Sequence, residues 1–313
     1  MRVLIYGAGN IGQLYAARLK EAGHDVRVLA RGRRLQLIRE LGIRLEDFKT
    51  EARTTTPVEV AERLEPDDVY DLILVVLPKQ GVLEVLPILA ANRSPNVMFF
   101  GNNAAGPEAL TDVVGRNRVL PGFPGVGAIE KEGFLRYLIL IAREQPTTVG
   151  ELDGTQSDRI REISDVLRSG GFPVSISSQM DAWLKTHAAE IVPTALALSM
   201  AGDNLEKLRG SSETMTLMVR AIREGYRILS ALGIPLTPAS RRILRWIPER
   251  LLIGLMKRKL AASGMEVKVG HASNANSEME LLAAELKELA DQTDVATPSL
   301  DILRRAHGWE SET

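Results

Sequence analysis

The chain has 313 residues, 45% of them hydrophobic and 25% charged, with a net charge of −1 and no cysteine. That length predicts two domains, and the balanced charge offers no global field for nucleic acid or a membrane surface. The missing cysteines exclude disulfides, thiolate metal sites and cysteine nucleophiles and fit a cytoplasmic protein; the four scattered histidines suggest no metal site.

Residues 2–6 form a short apolar run, the pattern of a central parallel strand buried on both faces. Gly7, Gly9 and Gly12 follow at once, with Asn10 and Ile11 before the third, then an amphipathic helix over 13–22 closed by Gly23, and a second strand over 24–30. A strand, a G-x-G-x-x-G turn and a helix within one βαβ unit predict a dinucleotide site. The first glycine makes the turn, the second lets the backbone approach a pyrophosphate, and the third lets the helix pack on the strand. The helix N–H groups then face the phosphates. A strand starting at residue 2 leaves no room for a signal peptide. The longest apolar run, 191–201, contains Pro193 and Thr194 and is too short to span a bilayer.

The second strand ends Val28-Leu-Ala-Arg31-Gly-Arg-Arg34, where an NAD site would carry an acid for the ribose hydroxyls. Arg31, with Arg33 or Arg34 beside it, instead suits a 2′-phosphate, which points to NADP(H). The plainer alternative is that these arginines are the solvated start of a helix over 34–41.

Residues 42–61 read as a small hairpin or irregular β excursion. A continuous apolar strand over 71–77 ends in Pro78-Lys79-Gln80. Ligands of doubly wound sheets lie beyond the carboxyl ends of strands, so Lys79 is a candidate for the cofactor cleft, beside the alternative of a solvated loop lysine. A helix over 82–91 and a strand over 96–100 lead to Gly101-Asn102-Asn103, which the same rule places at the cleft rim unless the asparagines merely form a turn. Residues 119–126, 137–141 and 147–150 read as further strands added antiparallel at the sheet edge. A helix over 157–169 and a short strand over 174–178 complete an N-terminal α/β domain.

Beyond residue 179 strand patterns cease, and helical spacing governs 180–201, 213–232, 241–263 and 277–292. The expected architecture is a Rossmann-type doubly wound dinucleotide-binding domain over 1–178 and an all-helical substrate and dimerisation domain over 179–313. The apolar helix over 241–263 leaves surface for a homodimer.

The glycine motif, Asn102 after a strand, the segment Ala182-Trp183-Leu184-Lys185, and Glu278-Met-Glu280 followed about twenty residues later by Ala296-Thr297-Pro298 together resemble the ketopantoate reductases (2-dehydropantoate 2-reductases) over nearly the whole chain. The resemblance implies an enzyme of pantothenate biosynthesis that uses NADPH to reduce a small 2-keto acid to a 2-hydroxy acid. In that family the lysine matching Lys185 is the general acid, the asparagine matching Asn102 lies near lysine and nicotinamide, and the glutamate matching Glu278 arranges the site. An ammonium within reach of the carbonyl oxygen stabilises the charge that hydride transfer develops there and then supplies the proton.

Read without the resemblance, Lys185 is a snorkelling surface lysine and Glu278 an acid favoured at a helix N-terminus. His187 reads as structural. The chain also departs from the family: Ala189 and Pro193 stand where the reductases carry asparagines, and the segment 270–277 replaces a polar substrate-contacting stretch, with Ser273, Asn274 and Asn276 as candidate replacement contacts. Losing groups that hydrogen-bond the substrate changes the preferred substrate. Two further readings stay open: a dehydrogenase of another carbonyl or imine, and a catalytically silent NADP-sensing protein.

Overall fold

In the computed structural model, which describes residues 1–269 and 276–306, the chain divides into two units. The first comprises Met1–Gly101 and Gly106–Met180, with the segment beginning at Val267. Its elements in order are β1 (Arg2–Tyr6), α1 (Asn10–Glu21), β2 (Asp25–Leu29), α2 (Gly32–Leu41), β3 (Ile43–Asp47), β4 (Arg53–Thr56), β5 (Glu59–Ala61), β6 (Leu72–Val75) and α3 (Lys79–Ala91). They continue with β7 (Val97–Phe100), α4 (Glu108–Val114), β8 (Val119–Phe123), β9 (Val126–Lys131), β10 (Phe134–Ile139), β11 (Thr147–Val149), α5 (Asp158–Ser169) and β12 (Val174–Ile176).

β1 is central because its side chains have two apolar destinations. Val3 and Ile5 enter one core with Leu14, Val28 and Leu74, while Leu4 and Tyr6 enter a second with Leu29, Ile73 and Val75. Alternation along a strand sends neighbours to opposite faces, so a strand covered on both faces reads as one unbroken apolar run. Each fully buried aliphatic side chain contributes about 1.5–3 kcal/mol relative to exposure. The main sheet has eight strands in the order β12-β11-β8-β7-β6-β1-β2-β5. β1 pairs in parallel with β2 and β6, and β6, β7 and β8 continue in parallel.

Three expectations change here. The stretch read as antiparallel edge additions divides: β8 runs parallel to β7 in register Val97↔Val119, and only β11 opposes it. β9 and β10 leave the main sheet and form a second, four-stranded sheet in the order β4-β3-β10-β9. Between them Glu132 (φ 51) and Gly133 (φ 76) both take the left-handed conformation, which matches a two-residue hairpin turn to the strand twist. Second, α1 begins at Asn10 rather than at residue 13, so Gly12 lies inside the helix. Third, 241–263 is not one helix. A 3-10 segment (Ala239–Arg245) ends before Pro248, which caps the helix Glu249–Leu260; proline lacks the N–H and disfavours helical backbone in the residue before it.

The second unit contains Asn102–Ala105, Asp181–Glu266 and the described chain from 276 onward. Its elements are α6 (Met180–Met200), whose first residue still belongs to the first unit, α7 (Leu205–Gly210), α8 (Ser212–Ala231), the 3-10 segment, α9 (Glu249–Leu260), the start of α10 (Met265–Val269), which passes into the first unit at Val267, α11 (Asn276–Asp291) and α12 (Pro298–Ala306). α8 buries Met215, Met218, Val219, Ile222, Tyr226 and Leu229 at helical spacing, and the hydroxyl of Ser211 accepts from the Thr214 N–H at 3.1 Å to start it. Glu224, 2% exposed, accepts from the backbone N–H groups of Ser299 and Leu300 at 3.0 and 2.8 Å, so a buried acid of α8 caps α12. Among the described residues no helix is long and apolar enough to cross a membrane.

Candidate active site

In the first unit the turn after β1 is built from backbone. Gly7 has φ +122, and a Cβ there would run into the Val76 carbonyl oxygen; a Cβ at Gly12 would run into the Gly7 carbonyl oxygen. These two glycines are required by the protein's own packing. Gly9 is different, because a Cβ added to it meets nothing within 4 Å, and the residue is exposed. As N-cap of α1 it offers no side chain, no acid occupies the first turn, and the first bond back to Gly9 comes from the Gln13 N–H at 2.9 Å. The unpaired N–H groups of Asn10, Ile11 and Gly12 with open space beside Gly9 fit a pyrophosphate. The Asn10 side chain is committed elsewhere, donating to the Ala128 carbonyl at 3.3 Å, and Ile11 packs against the core. Both therefore serve this turn through their backbone.

Arg31 is the exposed N-cap of α2, with no acid in that helix's first turn. Arg34 is drawn to Glu130 at 3.6 Å, whereas Arg31 and Arg33 enter no ion pair among the described residues. Lys79 is the half-buried first residue of α3, following Pro78 at the N-cap.

In the second unit α6 is apolar around most of its circumference and buried accordingly. Lys185 is 9% exposed on it, against the snorkelling alternative, and its Nζ lies 2.5 Å from Oδ2 of Asp181 one turn earlier. Trp183 and His187 stack with ring centroids 5.3 Å apart and planes at 11°, which accounts for His187 as a packing residue. Thr186 Oγ1 donates to the Ala182 carbonyl at 2.7 Å and accepts from the Thr237 N–H at 3.1 Å. Ala189 faces α8 so closely that a Cβ on Gly225 would be 2.8 Å from its Cβ. Pro193 lies inside the helix.

The second unit also brings together residues far apart in sequence. α11 is amphipathic, burying Met279, Leu282, Ala283, Leu286 and Ala290. Glu278 in its first turn accepts from Asn102 Nδ2 at 3.3 Å, across a separation of 176 residues. The other amide atom, Asn102 Oδ1, is buried without a partner among the described residues. Seven residues along the same face, Oε2 of Glu285 accepts from both the Ala104 and Ala105 N–H groups, at 2.9 and 3.1 Å. Glu285 thus ties down the segment that follows Asn102.

Asp181 and Glu285 escaped the reading of the sequence. Asp181 carried a usable signal, an acid four residues before a lysine on one helix; Glu285 carried none, because its partners are backbone groups 180 residues away. Ser273 and Asn274 lie outside the described residues, and only the backbone of Asn276 is described, as the first residue of α11.

Residues 3–154 match the family model described as ketopantoate reductase PanE/ApbA. The 2-dehydropantoate 2-reductase of Archaeoglobus fulgidus is 27% identical over 243 residues, an alignment covering 76% of this chain and 77% of that protein. Among solved structures, 2-dehydropantoate 2-reductase from Geobacter metallireducens GS-15 superimposes with a TM-score of 0.80 at 18% identity, covering 98% of each chain. A ternary structure of D-mandelate dehydrogenase with NADH and anilino(oxo)acetate superimposes with a TM-score of 0.75 at 16% identity, covering 99% of this chain and 98% of that one. At these identities the structures establish the fold, and residues 3–154 are the part of the chain that matches the ketopantoate reductase PanE/ApbA family.

Proposed function

We propose that the protein is an NADPH-dependent reductase that converts a 2-keto acid to a 2-hydroxy acid, with Lys185 as the general acid. The observation that carries this reading is the hydrogen bond between Asn102 and Glu278, residues assigned to one site by resemblance, together with the buried Asn102 oxygen left for a donor. A buried acceptor without a donor costs about 1–3 kcal/mol, a penalty that a ligand donor removes.

Backbone N–H groups at Gly9–Gly12 hold the pyrophosphate, Arg31 takes the 2′-phosphate, and Lys79 lines the cleft. D-mandelate dehydrogenase shares the fold and was solved with NADH, so the choice of NADPH rests on Arg31 rather than on architecture. When bound, the reduced nicotinamide supplies a hydride. Lys185 stabilises the negative charge growing on the keto oxygen and donates the proton that completes the hydroxyl. Asp181 fixes the direction of the ammonium, Glu278 orients Asn102, and Glu285 holds the segment that follows Asn102. The protein acts in the cytoplasm as a homodimer, a reading supported by Leu251 and Leu255 of α9, 57% and 46% exposed.

One observation favours a substrate other than ketopantoate. Ala189, buried against Gly225, and Pro193 offer no polar side-chain group where the resemblance expects asparagines. A site lacking these groups selects a different 2-keto acid.

The test is Lys185→Ala. Turnover of any accepted 2-keto acid falls by about 10²–10⁴-fold, while NADPH binding followed by cofactor fluorescence stays as in the wild type. Undiminished turnover in this variant removes Lys185 as the acid.

A further inference from the structure

The second unit contains a cavity of about 500 Å3 between α8, the 3-10 segment, α9 and the start of α12, and neither Lys185 nor Asn102 nor Glu278 lines it. Arg220, Arg223 and Arg227 project from α8 at spacings of three and four, and Arg245 joins them from the 3-10 segment. Two acids line the same space. Glu249 is taken up by Arg220 in a two-pronged pair at 2.8 and 2.9 Å. Glu224 directs its oxygens to the N–H groups of α12 and reaches Arg227 only at 4.0 Å.

That leaves three guanidinium groups poorly matched. Arg223 donates to the carbonyls of Leu244, at 3.2 Å, and Ile247, but its Nε is buried without a partner. Arg245 donates to the neutral hydroxyl of Ser230 at 3.0 Å, and among the described residues Arg227 has no carboxylate nearer than Glu224. The lining carries four arginines against two glutamates, in a chain whose net charge is −1. Beside them Trp246 is 85% exposed. Like charges gathered around a concavity with an unused buried donor suit an anion, because guanidinium forks match phosphate oxygens. An indole left in solvent supplies a face for a planar ring.

We propose that this cavity is a second ligand site, separate from the dinucleotide turn, which takes a small anion joining a phosphate to a planar ring. Arg223, Arg227 and Arg245 hold the phosphate, and Trp246 takes the ring. Two sources share this chemistry, nucleoside monophosphates and simple aryl phosphates.

Calorimetric titration of the full chain with 1-naphthyl phosphate, AMP and inorganic phosphate tests the site. Saturable binding of 1-naphthyl phosphate is expected, weaker for inorganic phosphate and weakening with added salt. Tighter binding of AMP than of 1-naphthyl phosphate assigns a nucleoside ligand, and the reverse order assigns an aryl one. Arg227→Ala and Arg245→Ala, both at exposed positions, each weaken binding about tenfold. Trp246→Ala removes the advantage of the ring while leaving phosphate binding, and Arg31→Ala binds as the wild type does. The proposal is overturned if wild-type protein binds none of the three, if the arginine variants bind unchanged with wild-type circular dichroism, or if Arg31→Ala is the variant that loses binding.

Discussion

The turn after β1 and the side-chain contacts of α6 and α11 are built in opposite ways. The turn is backbone: two glycines that packing demands, one that leaves space, and a helix end with unpaired N–H groups, all within six consecutive residues. The other region is side chain, in two separate sets of contacts: Asp181 with Lys185 on α6, and Glu278 and Glu285 of α11 with Asn102 and the segment after it. Binding of a pyrophosphate needs only donors in a row, which a local motif supplies. Proton transfer needs groups aimed individually, and here Asn102 meets Glu278 across 176 residues of chain.

The turn can be broken in two distinguishable ways. Gly12→Ala drives a methyl group into the Gly7 carbonyl and costs about 1–3 kcal/mol, read as a lower midpoint in urea unfolding. Alanine in place of glycine elsewhere in a helix is usually stabilising, so the sign itself is diagnostic. Gly9→Ala meets nothing, so it leaves the unfolding midpoint within about 0.5 kcal/mol of wild type while weakening NADPH about tenfold or more. Loss of stability in Gly9→Ala would show that its space is needed by the protein and not by a ligand.

How much of this the sequence disclosed follows the same division. β1, the glycine turn and β2 were legible because apolar runs and glycine spacing are local signals. Arg31 was legible as the missing acid. The separate sheet of β3, β4, β9 and β10 was not, since a strand's own pattern does not say which partner it takes; only Glu132-Gly133 hinted at the hairpin. The break before α9 is legible in Pro248, which cannot continue a helix from the residue before it. Lys185 read alone as a surface lysine, because burial of α6 on nearly all sides depends on neighbours supplied by other helices.

Arg31 at the start of α2 and Glu285 on α11 give the next largest effects. Arg31→Ala weakens NADPH by about 10–100-fold, the value of one charge-assisted contact, and leaves NADH unchanged in steady-state kinetics. Glu285→Ala frees the N–H groups of Ala104 and Ala105 and lowers kcat about tenfold with KM for NADPH unaltered. Glu285→Gln rescues kcat, because both N–H groups go to one oxygen and an amide carbonyl can accept both. If the glutamine and alanine variants are equally impaired, positioning by hydrogen bonding is wrong.

The smallest effect concerns acid stability in the first unit. Burial pushes the pKa of Glu151 up, but hydrogen bonds from Arg159, whose Nε is 2.7 Å away, and from Ser157 outweigh it and hold the carboxyl below its ordinary range. A pKa lower in the folded state gives stability that is complete above the ordinary carboxylate value and is lost as pH falls through the folded one. Thermal unfolding midpoints therefore decline below about pH 4, and Glu151→Gln flattens that decline. An identical acid limb in the variant would assign the decline to other carboxylates.

The measurement that bears most directly on the central claim is NADPH oxidation by the wild-type protein across a panel of 2-keto acids differing in side chain, with simple aldehydes and imines beside them. The account predicts turnover confined to 2-keto acids, with NADPH preferred to NADH and a substrate other than ketopantoate giving the highest kcat/KM. Tight NADPH binding with no turnover on any member of the panel would contradict it and leave a nucleotide-binding protein without a reductase activity.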